Sequence, residues 1–354
     1  MRTDWYEGAI DIEQEGFIFH LKECIIPWMN SDIVKSFQNK RVLLIGDSIL
    51  DVYIYGHLIG QALDAPDSSE VEETKSKIFF GGNGLIASHI LELGGHLTFI
   101  TVLGADKDAK HYDLWVHPKL KKIFLVDKTR RTTVKSRWYD GLRKLLQVNK
   151  VDNHELSDAL EKKLLKHVEK EIKAADVVVV MDPQHGLMKK SLIENLLNLS
   201  KKHNKPLYVD AQVSHRKSNH HLYKGVDTIF LNQNEAKAVY RKFNLLKIEE
   251  SLETIRKKLD LNNVVVKLGA QGSAAIFNGE YIRTRPHKVK AVDVCGAGDA
   301  FLAAFSLSDR NRPHESLKIA NIWGALSTTV HGTIPPRKKD LTTTLRTEGL
   351  HGRR

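Results

Sequence analysis

Beyond residue 150, short runs of apolar residues alternate with longer segments that have the period of an amphipathic helix. The runs are continuously apolar, and they read DVVVVMD (176–182), PLYVDA (206–211), DTIFLN (227–232) and NVVVKLG (263–269). A strand that is apolar on both faces has to be buried on both faces. Because helical segments separate these strands, the pattern predicts a mostly parallel sheet with helices on both sides. Two further helices are predicted over about 298–309 and 314–330.

The region before residue 150 starts in the same way and then changes character. RVLLIGD (41–47) and HLTFITVLG (96–104) predict buried strands on either side of a helix at 84–93. Three other segments carry Val, Thr, Ile and aromatic residues without a helical period, at 70–80, 122–127 and 131–140. These three segments predict a small sheet set apart from the main one.

The two ends of the chain differ from the rest. Residues 1–38 form an extension of unknown role, in which FIFHLKECIIPWM (17–29) predicts an amphipathic segment that lies on the body of the protein or contacts a partner. The basic tail at 337–354 follows Pro335-Pro336, and it is predicted to be a loose end or a late strand with a tail.

Charge and composition restrict the possible partners. The 54 Lys and Arg against 43 Asp and Glu give a net charge of +11, which suits a nucleic acid, a membrane surface or a small anionic substrate. The basic clusters are scattered over helical-looking segments, which favours solvated helix faces, and no zinc-finger or aromatic RNA-binding motif accompanies them. The apolar runs are far shorter than the roughly 20 residues that span a bilayer. With two cysteines, no CxxC and no apolar leader, we expect a cytoplasmic protein without a nucleic-acid or membrane partner. The spacing of His215, His220 and His221 fits no standard metal site.

Polar residues recur where the predicted strands end. They are Asp47, Asp51, Asp182, Asp210, Gln212, Asn232, Glu235 and Gly269. Ligands of an open parallel sheet bind at the carboxyl ends of its strands. Acidic and amide groups at that edge would suit a hydroxyl-rich ligand and magnesium, although each of them could instead cap a helix.

The stretch DVCGAGDA (293–300) precedes an apolar helical run. Gly296 and Gly298 permit a tight turn at a helix N-terminus, where exposed N–H groups bind anions. Asp299 would repel a phosphate that stays there, but it could accept a proton from an attacking hydroxyl while the N–H groups stabilise a moving phosphoryl group. The alternative is that Asp299 only stabilises the first turn of the helix through the helix dipole. The Walker pattern GxxxxGK[ST] is absent.

DVCGAGDAFLAAF closely resembles the C-terminal signature of the ribokinase-like, PfkB-type carbohydrate kinases. FFGGNGLIASHILELGG is similar to their N-terminal signature, LNQNEA to their N-x-x-E motif, and VVVKLGAQGS to their strand followed by L-G-x-x-G. Within the family, VLLIGDSILDVYIYG, RRTTVKSRW and VVMDPQHGLM are similar to segments of D-glycero-D-manno-heptose 7-phosphate kinases. The similarity extends from about Arg41 to Pro336.

The resemblance implies a fold and a reaction. The fold would be α/β and ribokinase-like, a doubly wound, mostly parallel sheet over 39–336 with a small β-sheet lid at about 53–80 and 119–149. The enzyme would transfer the γ-phosphoryl group of ATP, with Mg²⁺, to a sugar or sugar-phosphate hydroxyl. The preferred substrate is a heptose 7-phosphate at C1. A homodimer through the lid is expected by analogy.

The resemblance also implies roles for individual residues. Asp299 would be the catalytic base, and the amides at Gly296, Ala297 and Gly298 the anion hole. The sugar would be held by Asp51, Gly81, Gly82 and Asn83, and its phosphate by Lys135 and Arg137. The nucleotide and magnesium would be held by Asn232, Glu235, Lys267, Gly269, Gly272 and Asn321, with Glu235 facing Mg²⁺ through water or phosphate. Asp293 would be a ligand for a monovalent cation such as K⁺.

The chain departs from the family pattern mainly in the segments that bind the sugar in the family. Gly81-Gly82 is followed directly by Asn83-Gly84, whereas the family has two small residues and then a sugar-binding Asn. The second residue of the C-terminal signature is Val294. A kinase for a fructose- or ribose-type sugar, and a binding protein that has lost catalysis, therefore stay open as alternatives.

Overall fold

The computed structural model describes residues 31–213 and 218–351. The predicted amphipathic segment at 17–29 and His215 lie outside the described residues.

The described residues contain thirteen strands and ten α-helices. The strands are β1 (Arg41–Gly46), β2 (Ser48–Ala62), β3 (Ala65–Gly82), β4 (His96–Gly104), β5 (Leu120–Asp127), β6 (Thr133–Asp140), β7 (Arg143–Lys150), β8 (Val177–Asp182), β9 (Leu207–Ala211), β10 (Thr228–Asn232), β11 (Asn263–Lys267), β12 (Ser273–Phe277) and β13 (Glu280–Thr284). The helices are α1 (Ser31–Ser36), α2 (Asn83–Leu93), α3 (Lys110–Asp113), α4 (Asp158–Glu171), α5 (Lys190–Lys202), α6 (Gln233–Val239), α7 (Ile248–Lys258), α8 (Ala297–Leu307), α9 (Pro313–Ser327) and α10 (Lys338–His351). None of these helices is both long and apolar enough to cross a bilayer.

Nine of the strands form the main sheet, in the order β13-β12-β11-β10-β9-β8-β1-β4-β5. The pairings from β11 through to β5 are parallel, and β12 and β13 close the other edge with antiparallel pairings. β8 and β9 are buried over their whole length, and β1 is buried after Arg41, as their continuous apolar sequences predict. The predicted mostly parallel sheet is confirmed.

Helices cover both faces of this sheet and divide the core into two apolar clusters. One cluster lies under α2, α8 and α9 and contains Phe301, Phe305 and Trp323. The other lies under α4, α5 and α7 and contains Leu164, Leu192 and Ile255. The sheet therefore separates two layers of helices, as in a doubly wound fold.

The other four strands form a small sheet in the order β3-β2-β6-β7. In it β2 and β6 are parallel, and the outer pairs are antiparallel. The prediction that 122–127 belongs to the small sheet is wrong, because β5 pairs with β4 at the edge of the main sheet. As an edge strand, β5 is only partly buried, so its sequence lacks the signature of the central strands.

The C-terminal segment also differs from its prediction as a loose end or late strand. It forms the helix α10, in which Leu341 and Leu345 are buried in the core. Residues 338–351 are therefore part of the folded body, and α10 packs against α9 and α1.

Candidate active site

The turn before α8 lies at the carboxyl edge of the main sheet. Gly296 has φ +82°, a left-handed conformation, and a Cβ there would lie 2.3 Å from Leu85 Cδ2. Gly298 follows in the first turn, where a Cβ would lie 3.2 Å from Lys267 Nζ. The glycines thus let the chain turn tightly and let a lysine approach the helix start. The first N–H groups of a helix have no partner within the helix and can bind an anion, although here the N–H of Ala297 donates to the carbonyl oxygen of Val294 (3.4 Å).

Four ionisable side chains meet beside this turn, which are those of Lys267, Asp210, Glu235 and Asp299. The ammonium group of Lys267 pairs with the carboxylate of Asp210 in a largely buried contact. Burial alone would lower the pKa of Lys267, but Asp210 and Glu235 raise it above its ordinary value. Lys267 therefore stays protonated beside the start of α8, paired with Asp210.

The fourth member of this cluster is Asp299, which lies in the first turn of α8. Loss of solvation, and then the nearby charge of Asp210, raise its pKa to about 8, although Lys267 acts in the opposite direction. A carboxyl group with a pKa near neutrality can take up a proton during a reaction and release it afterwards. This supports the role of a base more directly than that of a helix cap.

The raised pKa predicts how activity depends on pH. If deprotonated Asp299 is the base, kcat/KM rises with pH through about 8 and levels off above it. The folded state holds this proton more tightly than the unfolded state. Its contribution to stability is therefore lost as the pH rises from 3.8 to about 8. Initial rates across this range test the assignment, which fails if the rising limb persists in Asp299→Asn.

The Asn-x-x-Glu motif forms a capping box at the start of α6. Asn232 Oδ1 accepts from the main-chain N–H of Glu235 (2.9 Å), and Glu235 Oε2 accepts from the main-chain N–H of Asn232 (2.6 Å). This contact fixes the carboxylate of Glu235 near Asp210 and Lys267. Burial and then Asp210 raise the pKa of Glu235. Magnesium prefers oxygen ligands, but the oxygens of both side chains accept hydrogen bonds within the capping box, so this pair suits magnesium only through water or phosphate.

On the opposite side of the anion turn, Asp51 and Arg137 form a buried ion pair. Their Oδ1 and Nη1 atoms are 2.6 Å apart, and 3% and 8% of the two residues are exposed. Gly81 lies against the carboxylate, since a Cβ on it would be 2.5 Å from Asp51 Oδ2. Arg137 was predicted to bind a substrate phosphate, but in this structure its guanidinium contacts Asp51 and the face of Tyr53.

Lys135 lies opposite Asp51 in the register between β6 and β2. Burial lowers the pKa of Lys135, and the charges of Asp51 and Asp299 partly offset this effect. Within the part of the chain that the structure describes, its ammonium group makes no ion pair. Lys135 is therefore a lysine beside Asp51 whose ammonium group has no ion-pair partner among the described residues.

Asn83 is fully buried at the start of α2. Its Nδ2 donates to the carbonyl oxygens of Asp47 (3.1 Å) and Met181 (2.9 Å), so it ties the ends of β1 and β8 together. Gly82, the residue before it, has φ +56° and packs against Ile49. The donors of the Asn83 amide are thus used by the main chain, and its buried Oδ1 has no hydrogen-bond partner among the described residues.

The predicted nucleotide residues lie along the end of β11 and the start of β12. Gly269 and Gly272 flank a short 3₁₀ turn, both with positive φ. Asn321 donates to Ser273 Oγ (2.9 Å), which places it beside this turn. The structure therefore brings Gly269, Gly272 and Asn321 into one neighbourhood, with Lys267 preceding them on the same strand.

Asp293 is surrounded by hydrogen-bond donors. Its Oδ1 accepts from the N–H of Cys295 (3.0 Å), and its Oδ2 accepts from the N–H of Gly332 (3.2 Å) and the hydroxyl of Tyr53 (3.3 Å). Nδ1 of His331 is 3.7 Å from Oδ2. Potassium is held by oxygen atoms that present lone pairs. The residues around Asp293 do not fit the predicted monovalent cation.

Asp47 and Asp182 are two neighbouring buried carboxylates for which the sequence indicated no individual role. Burial and the neighbouring Asp182 raise the pKa of Asp47 to about 7. Asp182 accepts from the hydroxyl of Tyr223 (2.7 Å) and from Asn219 Nδ2 (2.7 Å). Both aspartates had been recognised only as members of the strand-end set, and nothing in the sequence spacing showed that they meet.

Comparison with known proteins gives a family match. The model for the pfkB family of carbohydrate kinases matches residues 39–340. The bifunctional protein HldE of a Nitratiruptor species is 28% identical over 289 residues, which are 80% of this chain and 60% of that protein. HldE of Helicobacter pylori (strain HPAG1) is 27% identical over 275 residues, 76% of this chain and 58% of that protein. The chain thus spans less than two thirds of the length of these relatives.

Solved structures share the fold. Phosphofructokinase-2 from Escherichia coli in complex with potassium superposes with a TM-score of 0.73 at 18% identity, over 87% of this chain and 98% of that one. Ribokinase from Thermotoga maritima gives a TM-score of 0.64 at 20% identity, over 87% and 99% of the two chains. The chain therefore has the ribokinase-like fold.

Proposed function

The chain belongs to the pfkB family of carbohydrate kinases, and we propose that it transfers the γ-phosphoryl group of ATP to C1 of a heptose 7-phosphate. As a family member it is a phosphotransferase that acts on a sugar hydroxyl. We choose a phosphorylated sugar because of Lys135. It lies beside Asp51 and makes no ion pair among the described residues, so its ammonium group could bind the phosphate of the substrate. The similarity of the surrounding strand to heptose 7-phosphate kinases supports the same choice.

In the proposed reaction, this chain's residues position the reactants and move one proton. Asp51 would hold sugar hydroxyls, since Arg137 fixes its carboxylate and Gly81 leaves space at its edge. Asp299 would accept the proton of the C1 hydroxyl as that oxygen attacks the γ-phosphorus, and the bond from phosphorus to the bridging oxygen of ADP breaks. The N–H groups at Gly296, Ala297 and Gly298 would stabilise the charge on the transferring group.

The ATP side would be formed by the neighbouring strand ends. Lys267 would neutralise phosphate charge, and the turn at Gly269 and Gly272 would lie along the nucleotide. Glu235 and Asn232 would hold magnesium, which supplies charge neutralisation when it is bound. We propose a cytoplasmic location because ATP is the phosphoryl donor.

A panel of acceptors tests the substrate. ADP release from MgATP is measured with heptose 7-phosphate, unphosphorylated heptose, fructose, fructose 6-phosphate and ribose, and the product is identified by phosphorus NMR. We expect the largest kcat/KM with heptose 7-phosphate and a selective loss for phosphorylated acceptors in Lys135→Met. Turnover only with another sugar would exclude heptose but keep the kinase. ATP binding without turnover on any sugar would favour the non-catalytic alternative.

We also propose that the small sheet is a lid and that two copies of the chain pair through it. Its strands and turns expose several large apolar side chains to solvent, which are Leu58, Ile59, Leu63, Ile78, Leu142, Leu146 and Val148. Exposed apolar side chains that gather on one face would suit an interaction site. Light scattering should therefore give the mass of a dimer, and Leu146→Glu with Val148→Glu should give a monomer. A monomeric wild-type protein would contradict the pairing.

A further inference from the structure

We infer that the protein's own hydrogen-bond donors replace a monovalent cation at Asp293, so that this kinase works without potassium. The inference goes beyond the proposed function, because it concerns how the turn before α8 is held rather than which sugar is phosphorylated. It follows from the three donors and the imidazole that surround this carboxylate.

The position of Asp293 connects it to the turn before α8. This residue lies three positions before Gly296, and its Oδ1 accepts from the N–H of Cys295 inside the same turn. The contact of its Oδ2 with Gly332 joins this turn to the loop that follows α9. A group that neutralises the Asp293 carboxylate therefore also fixes the turn that carries the anion site.

The groups that contact the Asp293 carboxylate are hydrogen-bond donors. Main-chain N–H groups and a tyrosine hydroxyl present hydrogens, not lone pairs, to the carboxylate. A cation at the same oxygens would have to displace them, and the buried donors would then lose their partner. His331 adds a nitrogen within ion-pair distance of Oδ2.

His331 is held in place by aromatic rings of the small sheet. Its ring centroid lies 5.6 Å from those of Tyr53 and Tyr55 and 5.3 Å from that of Tyr139. The ring planes of Tyr53 and Tyr139 are inclined to the imidazole by 75° and 82°, an edge-to-face arrangement that aromatic rings favour. Gly332 has φ +96°, and a Cβ on it would lie 2.9 Å from Phe79 Cζ. The loop therefore packs tightly on β2, β3 and β6, and it cannot move aside for an ion without moving these rings.

The experiment uses the full chain in buffers that contain only tetramethylammonium as the monovalent cation. Thermal unfolding without substrate is compared with and without about 0.1 M potassium chloride, with tetramethylammonium chloride replacing it at the same ionic strength. Initial rates are measured in parallel with the best acceptor. Binding of thallium(I), a potassium analogue, is followed directly by thallium NMR.

For the wild-type protein we expect the same Tm in both salts, no bound thallium and rates that differ by less than about twofold. His331→Ala is expected to become responsive to potassium, because it opens space and removes the imidazole nitrogen that lies 3.7 Å from Asp293 Oδ2. Tyr53→Phe keeps the ring and removes only the hydroxyl, so it serves if His331→Ala does not fold. The matched control is His314→Ala, an exposed histidine that pairs with Glu280 and should leave the salt response unchanged.

Saturable thallium binding to the wild-type protein, or a rise in its Tm that is specific to potassium, would overturn the inference. A tenfold or so activation of the wild-type enzyme by potassium would do the same. Because unfolding and thallium binding need no sugar, the inference can fail or hold independently of the proposed substrate.

Discussion

Replacing Asp299 with asparagine is expected to lower kcat by about 10²–10⁴, the usual contribution of a general base. Asparagine keeps the size of the side chain and its place in the first turn of α8, but it cannot accept the proton of the attacking hydroxyl. The measurement is ADP release with the best acceptor, together with the Kd for MgATP. We expect the Kd to change much less than kcat.

A matched control separates base catalysis from helix capping. Asp158 also lies in the first turn of a helix, α4, and its side chain is almost fully exposed and pairs with Lys189. Asp158→Asn removes the same charge from a helix start, and it should leave kcat unchanged. If Asp299→Asn retains most of the wild-type kcat, Asp299 is a capping residue and the proposed mechanism is wrong.

Lys267→Met is expected to destabilise the fold by about 3–5 kcal/mol, because it leaves the buried carboxylate of Asp210 without its partner. Only 13% of the Lys267 side chain and 4% of the Asp210 side chain are exposed, so water cannot replace the lost contact. Urea unfolding of the variant and the wild-type protein gives the difference in free energy of unfolding.

Two further variants check the reason for this loss. Lys202→Met removes a lysine from an exposed pair with Glu169 and should cost less than about 1 kcal/mol. Adding Asp210→Asn to Lys267→Met removes the uncompensated charge and should restore part of the lost stability. A Lys267→Met variant as stable as Lys202→Met would show that the buried pair does not hold this edge of the sheet together.

The sequence predicted the main sheet well because its central strands are buried on both faces. A run such as Val177–Met181 has no polar position, and few other structures accommodate it. The edge strand β5 gave the wrong prediction because an exposed edge tolerates polar residues, so its sequence looks like that of a peripheral sheet. The tail was misjudged for a similar reason, since Leu341 and Leu345 are the only buried apolar side chains among the described residues of α10, which also pairs through Glu348 with His287 and Lys318.

Part of the site could also have been predicted from local sequence. Asn232 and Glu235 are spaced as a capping box, and that spacing alone indicates how both side chains are oriented. The pairs Asp51–Arg137 and Asp210–Lys267 are different, because each joins two strands that lie far apart in the sequence, by 57 positions in the second pair. No local pattern spans such a separation. Only the folded arrangement of the strands brings these charges together.

The connection between β1 and β2 is a single residue, Asp47, so the small sheet grows directly out of the central strand of the main one. Asp51 lies on the far side of that junction with Arg137, while Asp299 stays on the body with α8. If the small sheet swings as one piece, Asp51, which we propose holds the sugar, would move relative to Asp299, the proposed base. We therefore expect the two carboxylates to be aligned only when a bound sugar has closed the sheet. Such an arrangement would protect ATP from attack by water between turnovers.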